Sequence, residues 1–402
     1  MSGTSLALGN LRGVVILIVL GFHSVLAYLD SWPATARKFD TPPYEWEAAP
    51  IIDSQRWLGF DIFCAWHDVY LMSLMYFLSG LFVWGSLTRK GARLFLSDRL
   101  LRLGLPLIPA VFVLMPIALY PAYLATATEP GVADYWQQFI ALPFWPCGPQ
   151  WFLWQLLALS ILAAAIYRLA PQAGDRLARW AGRMSAQPGR FYVALAVASA
   201  AAYVPLALIY SPWSWFQLGP FAFQGSRPLH YLVYFFAGIA VGTYGLDRGL
   251  LATDGVLARR WPVWVAVATA TFLAWIAPTA LLVMGTDQPH FALLLGSALG
   301  FVLACAGGGM VVLALALHFT TRRRRVLDSL SGNAYGMYLV HYVFVVWLQY
   351  AMLGVVIPTI VKAAIVFTGT LLMSWATTAA LRSIPLGSRL IGNDGRALAK
   401  AS

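Results

Sequence analysis

Apolar runs of about 20 residues recur from Leu11 to Leu381, and each is long enough to cross a hydrocarbon layer of about 30 Å as an α-helix. Only 11% of the 402 residues are charged, against about a quarter in soluble proteins, so a water-soluble globule is excluded. An aromatic content of 14%, 23 scattered prolines and the lack of heptads exclude disorder, collagen and coiled coil. The expected fold class is all-α: a polytopic membrane bundle of about ten transmembrane helices, forming one domain over 1–402.

The ten expected spans lie near 11–29, 69–87, 104–124, 150–167, 191–210, 229–246, 261–283, 291–317, 332–350 and 356–380. With a cytoplasmic N-terminus, the inner segments hold 22 of the 27 Lys and Arg residues. The outer segments hold Arg37, Lys38, Arg56, Arg227 and Lys362. Basic residues beside spans resist translocation, so both termini are expected to be cytoplasmic. The net charge of +11 is then a consequence of topology, and no nucleic-acid partner is expected; the partner it does imply is the lipid bilayer.

Ala34-Thr35-Ala36 resembles a signal cleavage site, but the preceding apolar run is too long for a secretory signal, and we read it as a retained first span. The longest loop, 30–67, is expected to be external. The third span contains Pro106, Pro109, Pro116 and Pro121. Each removes a backbone donor, which predicts a kinked helix lining protein or water. Cys64, Cys147 and Cys305 lack metal-site or redox-pair spacing. A Cys64–Cys147 bridge is open if both face outward, but unpaired thiols are the reading we adopt. No metal is expected, because no His, Cys and carboxylate set has ligand spacing.

Ionisable groups inside a bilayer cost roughly 2.5–3.5 kcal/mol at the centre, so they face a cavity or a partner. His23 and His341 each fall some 10–14 Å into a span running from inside to outside, at about 1.5 Å per residue. Neutral imidazole both accepts and donates protons near neutral pH, as activation of an alcohol requires; the blander reading is a histidine bonding a neighbouring helix. Arg12 precedes His23 by eleven residues, which returns it to the same helix face within about 20° and about 16 Å away. Alone, Arg12 is an ordinary basic flank. With His23 it suits a ligand with an anionic end at the surface and a reactive end near the midplane, and acyl-CoA has that shape.

Arg99 and Arg102 lie three apart before the proline-rich span, close enough to grip one phosphate, or to serve only as a basic flank. Arg322–Arg325 reads as a topology anchor. His67 and Asp68 enter the second span from outside, where a carboxylate can orient an imidazole or bond a sugar. Trp151, in the stretch from Trp145 to Trp154, offers an aromatic face for a carbohydrate ring, although aromatic belts have the same composition. His230, His290 and His318 sit near span ends and carry little information.

The Arg12/His23 pair, the Arg99/Arg102 pair, YFLSGLF at 76–82, GPQWFLW at 148–154 and SGNAYGMYLVH at 331–341 occur in an order that resembles the acyltransferase-3 family of integral-membrane O-acyltransferases. The resemblance implies transfer of an acyl group from cytoplasmic acyl-CoA to a hydroxyl of a glycan, in the bacterial inner membrane. It also implies functional roles for Arg12, His23, Arg99 and Arg102. The mechanism we expect places CoA phosphates on these arginines as a donor substrate with no permanently bound cofactor. His23 acts as base or acyl acceptor, and His341 and Tyr338 position or polarise the thioester carbonyl. Some members carry a further hydrolase-like domain; this sequence ends about 20 residues after the last span, so transfer is expected to finish within the bundle. The rival reading is a transporter or flippase of a glycan or acyl donor that performs no chemistry, and a blander one is a membrane scaffold. The acyl group, the acceptor and the oligomeric state are not specified by the sequence.

Overall fold

The computed structural model describes residues 3–33, 35–285, 290–385, 387 and 391. Ala34 of the small-residue motif, and Arg389, Arg396 and Lys400 of the inner basic set, lie outside them. The long helices are α1 Gly3–Val25, α2 Leu58–Gly80, α3 Val83–Leu124, α4 Val132–Ala141, α5 Trp151–Leu169, α6 Ala173–Ser185, α7 Pro188–Tyr210, α8 Pro228–Tyr244, α9 Trp261–Met284, α10 Phe291–Phe319, α11 Arg325–Ala351 and α12 Thr359–Ser383. Between α7 and α8, β1 Trp215–Leu218 pairs antiparallel with β2 Phe221–Gln224.

The protein is a multi-pass helical membrane bundle. Eight of the described helices are long and apolar enough to span a bilayer, and α8 becomes a ninth when joined to Gly249–Arg259 across an 88° bend. The remaining expected span, 332–350, is α11, whose buried Asn333, His341 and Gln349 dilute its hydropathy. Its polar face packs against protein, where such groups find partners. Two expected boundaries move. The second span starts at Leu58, because Asp61, His67 and Asp68 sit inside the helix and mask its apolar pattern. The basic stretch before the third span is itself helical, broken at Gly91, whose φ of 74° suits a residue without a Cβ.

The proline-rich helix is built as its sequence demands. It contains wide turns over Leu100–Gly104 and Ala110–Leu114, and carbonyls that lose their helical donors are taken up by neighbours. Pro106 cannot serve the Arg102 carbonyl, which accepts from Tyr335 Oη at 2.6 Å. Pro121 cannot serve Ile117, which accepts from Trp347 Nε1 at 3.0 Å. Val111, bypassed by the second wide turn and facing Pro116, accepts from Trp145 Nε1 at 3.1 Å. Two of the three donors come from α11, so the prolines that weaken α3 also fix it against the helix carrying His341.

Helices α2 and α8 run parallel and meet closely at glycines. A Cβ added to Gly238 would lie 2.1 Å from the Phe77 carbonyl oxygen, and one on Gly80 2.2 Å from that of Phe235. Backbone cannot yield as a flexible side chain does, so Gly238→Ala is expected to destabilise by about 1–3 kcal/mol as an overpacked core does. It should lower the thermal unfolding midpoint in nanodiscs, whereas alanine at the open Gly85 should not.

The loop from Asp30 to Trp57 is folded rather than loose. Phe39 stacks on Trp46 with centroids 4.4 Å apart, and both join a buried aromatic cluster with Tyr123, Tyr135 and Phe139 of α3 and α4. Asp61 of α2 accepts from the Asp30 and Ser31 amides at 2.8 and 3.1 Å. Asp53 pairs with Lys362 of α12 at 2.7 Å, and each side chain is only 1% exposed. Lys362, expected among the basic residues of the outer segments, is thus buried with that partner.

Candidate active site

The two intramembrane histidines are in contact. α1 and α11 run parallel, as the placement of Leu327 and Leu330 beside Gly13 shows, and this brings His341 Nε2 to 3.3 Å from His23 Nδ1. His23 Nδ1 is also 2.9 Å from the Val19 carbonyl oxygen, and His341 Nδ1 is 2.7 Å from that of Tyr338. A carbonyl only accepts, so the partners assign a proton to Nδ1 of each ring. The His23 Nδ1–H is then shared between the Val19 oxygen and a bare His341 Nε2. That leaves His23 Nε2 as an unprotonated nitrogen available to a ligand.

The end of α1 is held by a residue that sequence reasoning missed. Gln349 of α11 donates from Nε2 to the carbonyls of His23 at 2.9 Å and Ser24 at 3.3 Å. These are among the last carbonyls of α1, which have no helical donor. The Gly148-Pro149-Gln150 turn docks on α11. Gln150 Nε2 reaches the Leu339 carbonyl at 3.2 Å, and Tyr338 Oη donates to the Pro149 carbonyl. Gly148 adopts a φ of 47° there.

His23 lines a cavity of about 840 Å³ with His67, Asp68, Trp151 and Tyr338, five of the nine residues singled out from the sequence. His341 is fully buried behind His23. Of the three indoles considered together, Trp145 and Trp154 are tied to backbone carbonyls at 3.1 and 3.0 Å. Trp151 lines the cavity, with its ring edge-on to Trp215 at 5.6 Å. His67 donates Nδ1–H to the Phe63 carbonyl at 2.8 Å.

Asp68 is not an open carboxylate. Arg227, at the start of α8, grips it through two nitrogens at 3.0 and 2.5 Å and also lines the cavity. Sequence gave Arg227 only a place among the outer basic residues. Glu47 of the loop over the cavity was also missed; it accepts a hydrogen bond from Gln217 of β1. Burial raises its carboxyl to about 7, although the Gln217 bond pulls the other way.

The arginines are not in this cavity. Arg12 lies over the Phe82 ring at 5.3 Å and Arg99 over the Phe95 ring at 5.1 Å. Arg102 is exposed in the first wide turn of α3. The deepest cavity residues on this side are Val19 of α1 and Met75 of α2. Each stands seven residues from Arg12 or Phe82 respectively, or about 10 Å along its helix. Arg12 and His23 lie on one face of α1 by their eleven-residue spacing, but the intervening residues separate the guanidinium from the cavity floor.

Other candidates resolve as structural. All three cysteines are free and buried. His230 is fully buried, between Ser73 Oγ at 3.0 Å and Ser199 Oγ at 2.9 Å, so it links three helices. His290 caps α10, and His318 packs on Trp261.

Neither the curated proteins nor the solved structures contain a match to the chain. A family model described as an acyltransferase domain, and named for acyltransferase family 3, matches residues 6–379. That match covers nearly all the helices described above, including those that build the cavity, and the chain belongs to this family of membrane acyltransferases.

Proposed function

We propose that the protein moves an acyl group from cytoplasmic acyl-CoA, through the bundle, to a hydroxyl of a glycan on the outer side of the bacterial inner membrane. The observation that carries this reading is the His23–His341 pair at the cavity wall. The Val19 carbonyl and the His341 ring hold the His23 Nδ1 proton, which leaves an unprotonated nitrogen on a residue that lines the cavity. The distribution of basic residues supports cytoplasmic termini. Arg12, Arg99 and Arg102 then face the compartment that holds CoA and take its phosphates, while the opposite end, rimmed with tryptophans, receives the acceptor.

His23 removes the acceptor's hydroxyl proton as the oxygen attacks the thioester carbon. The carbon–sulfur bond breaks, and the thiolate of CoA leaves and takes up the proton. The route through an acyl-His23 intermediate uses the same nitrogen as nucleophile. Of the two roles expected for His341 and Tyr338, positioning is the one this reading keeps. His341 spends its free lone pair on His23, and Tyr338 spends its hydroxyl proton on Pro149, so both hold the base and the cavity wall rather than polarise the thioester.

The closing YLVH string at 338–341 resembles that of glucan biosynthesis protein C, and on this reading succinyl and a periplasmic glucan are the first donor and acceptor to try. Acetyl and other envelope glycans follow. The purified protein in nanodiscs is given radiolabelled acyl-CoA with and without a glucoside. Acceptor-dependent thiol release with label on the sugar supports the reading. Solute flux without thiol release supports the transporter or flippase instead.

A further inference from the structure

Glu47 lies in the loop between α1 and α2, and Gln217 lies 170 residues later in β1, yet Gln217 Nε2 donates to Glu47 Oε1. Both residues line the cavity that contains His23. Once that bond is made, Gln217 Oε1 is buried with no partner among the described residues, and Glu47 Oε2 has none either. A buried acceptor left unfilled costs about 1–3 kcal/mol. The buried Gln217 oxygen and the second Glu47 oxygen, on a half-buried residue bonded to it, call for two donors at short spacing. Adjacent hydroxyls of a pyranose supply two donors at that spacing. Nearby, Trp213, Trp215 and Tyr44 line the same space, offering ring faces beside the two acceptors.

We propose that Glu47 and Gln217 form a subsite that holds two adjacent hydroxyl groups of the acceptor as hydrogen-bond donors. This rests on the reading of the cavity as the acceptor site. It assigns Glu47 to acceptor recognition and leaves proton transfer to His23. The subsite also has a pH signature. Cys147 from the turn before α5 and Tyr342 of α11 face the Glu47 carboxyl. His23 of α1, His67 and Asp68 of α2 and Arg227 of α8 line the same cavity, as do Tyr44 and Tyr338. Asp68 is already committed to Arg227. An ionised carboxylate accepts roughly twice as strongly as a neutral group. With the Glu47 carboxyl raised to about 7 by burial, sugar affinity is expected to increase as the pH rises through about 7.

The test titrates methyl β-glucoside into the full chain in nanodiscs, following tryptophan fluorescence, with no acyl donor present. Wild-type protein is expected to bind the glucoside at least tenfold more tightly than its permethylated analogue, which keeps the ring but has no hydroxyl to donate. Glu47→Gln should weaken glucoside binding at least tenfold and flatten its pH dependence. Gln217→Met, which removes the second acceptor, should erase most of the preference over the permethylated sugar. It serves as the independent variant should Glu47→Gln fail to insert. Unchanged affinity and pH profile in Glu47→Gln would overturn the proposal, as would equal binding of the two sugars or stronger competition by methylamine. Because the readout requires no transfer, sugar binding without any acylation would sink the proposed activity and leave the subsite standing.

Discussion

His23→Ala is expected to lower the rate of acyl transfer by about 10²–10⁴-fold, the range in which a positioned acid–base group contributes. The loss should fall on kcat, with the KM for the acyl donor nearly unchanged. Arg12 lies seven residues, or about 10 Å, from Val19 along α1, Arg99 and Arg102 belong to α3, and the substitution touches none of them. Folding should survive: His23 is only partly buried, and the Gln349 amide bonds the backbone at position 23, not its side chain. The same substitution abolishes the direct and the acyl-enzyme routes alike, since both use the one free nitrogen. Initial rates in nanodiscs, beside a thermal unfolding curve, give the answer. A correctly folded variant that acylates at the wild-type rate removes His23 from the chemistry.

Lys362→Met is expected to be the most damaging single change to stability. The ammonium and the Asp53 carboxylate are each 1% exposed and 2.7 Å apart, so deleting the cation leaves a carboxylate that water cannot reach. Breaking a buried pair in this way costs about 3–5 kcal/mol. Asp53 also accepts from the Gln55 amide at 2.8 Å, a bond that asparagine can keep. Adding Asp53→Asn to Lys362→Met should therefore restore most of the lost stability, because the uncompensated charge disappears while the turn is retained. Thermal unfolding of the wild type, both single variants and the double variant checks this. A Lys362→Met protein as stable as wild type would mean that the pair is hydrated and carries little.

The apolar runs made the membrane class legible because span length is a direct demand of bilayer thickness. The prolines of α3 were legible as kinks for the same kind of local reason: each deletes a donor at a known offset. The equal depth of His23 and His341 followed from counting residues along spans of like direction, and their contact at 3.3 Å is consistent with that count. The polar constellations were not legible. Asp68 and Arg227 are 159 residues apart and Asp53 and Lys362 309 apart, and no periodicity links such positions. Asp61, His67 and Asp68 also hid the first turns of α2, since a hydropathy pattern cannot distinguish a polar residue facing a cavity from one in a loop. The same ambiguity made Glu47 and Gln217 look like ordinary loop and hairpin residues.

The account needs the donor's acyl end to pass between Val19 and Met75, which form the deepest part of the cavity toward Arg12. Methionine is unbranched and adapts readily to a passing chain, so this packed stretch is the place where binding must rearrange side chains. A structure solved with a non-hydrolysable thioether analogue of acyl-CoA is the most direct test of the central claim. The account predicts nucleotide phosphates against Arg12, Arg99 and Arg102, the pantetheine between α1 and α2, and the acyl carbon beside His23 Nε2. A nucleotide bound elsewhere, or an acyl end stopped short of His23 with Val19 and Met75 unmoved, would contradict it.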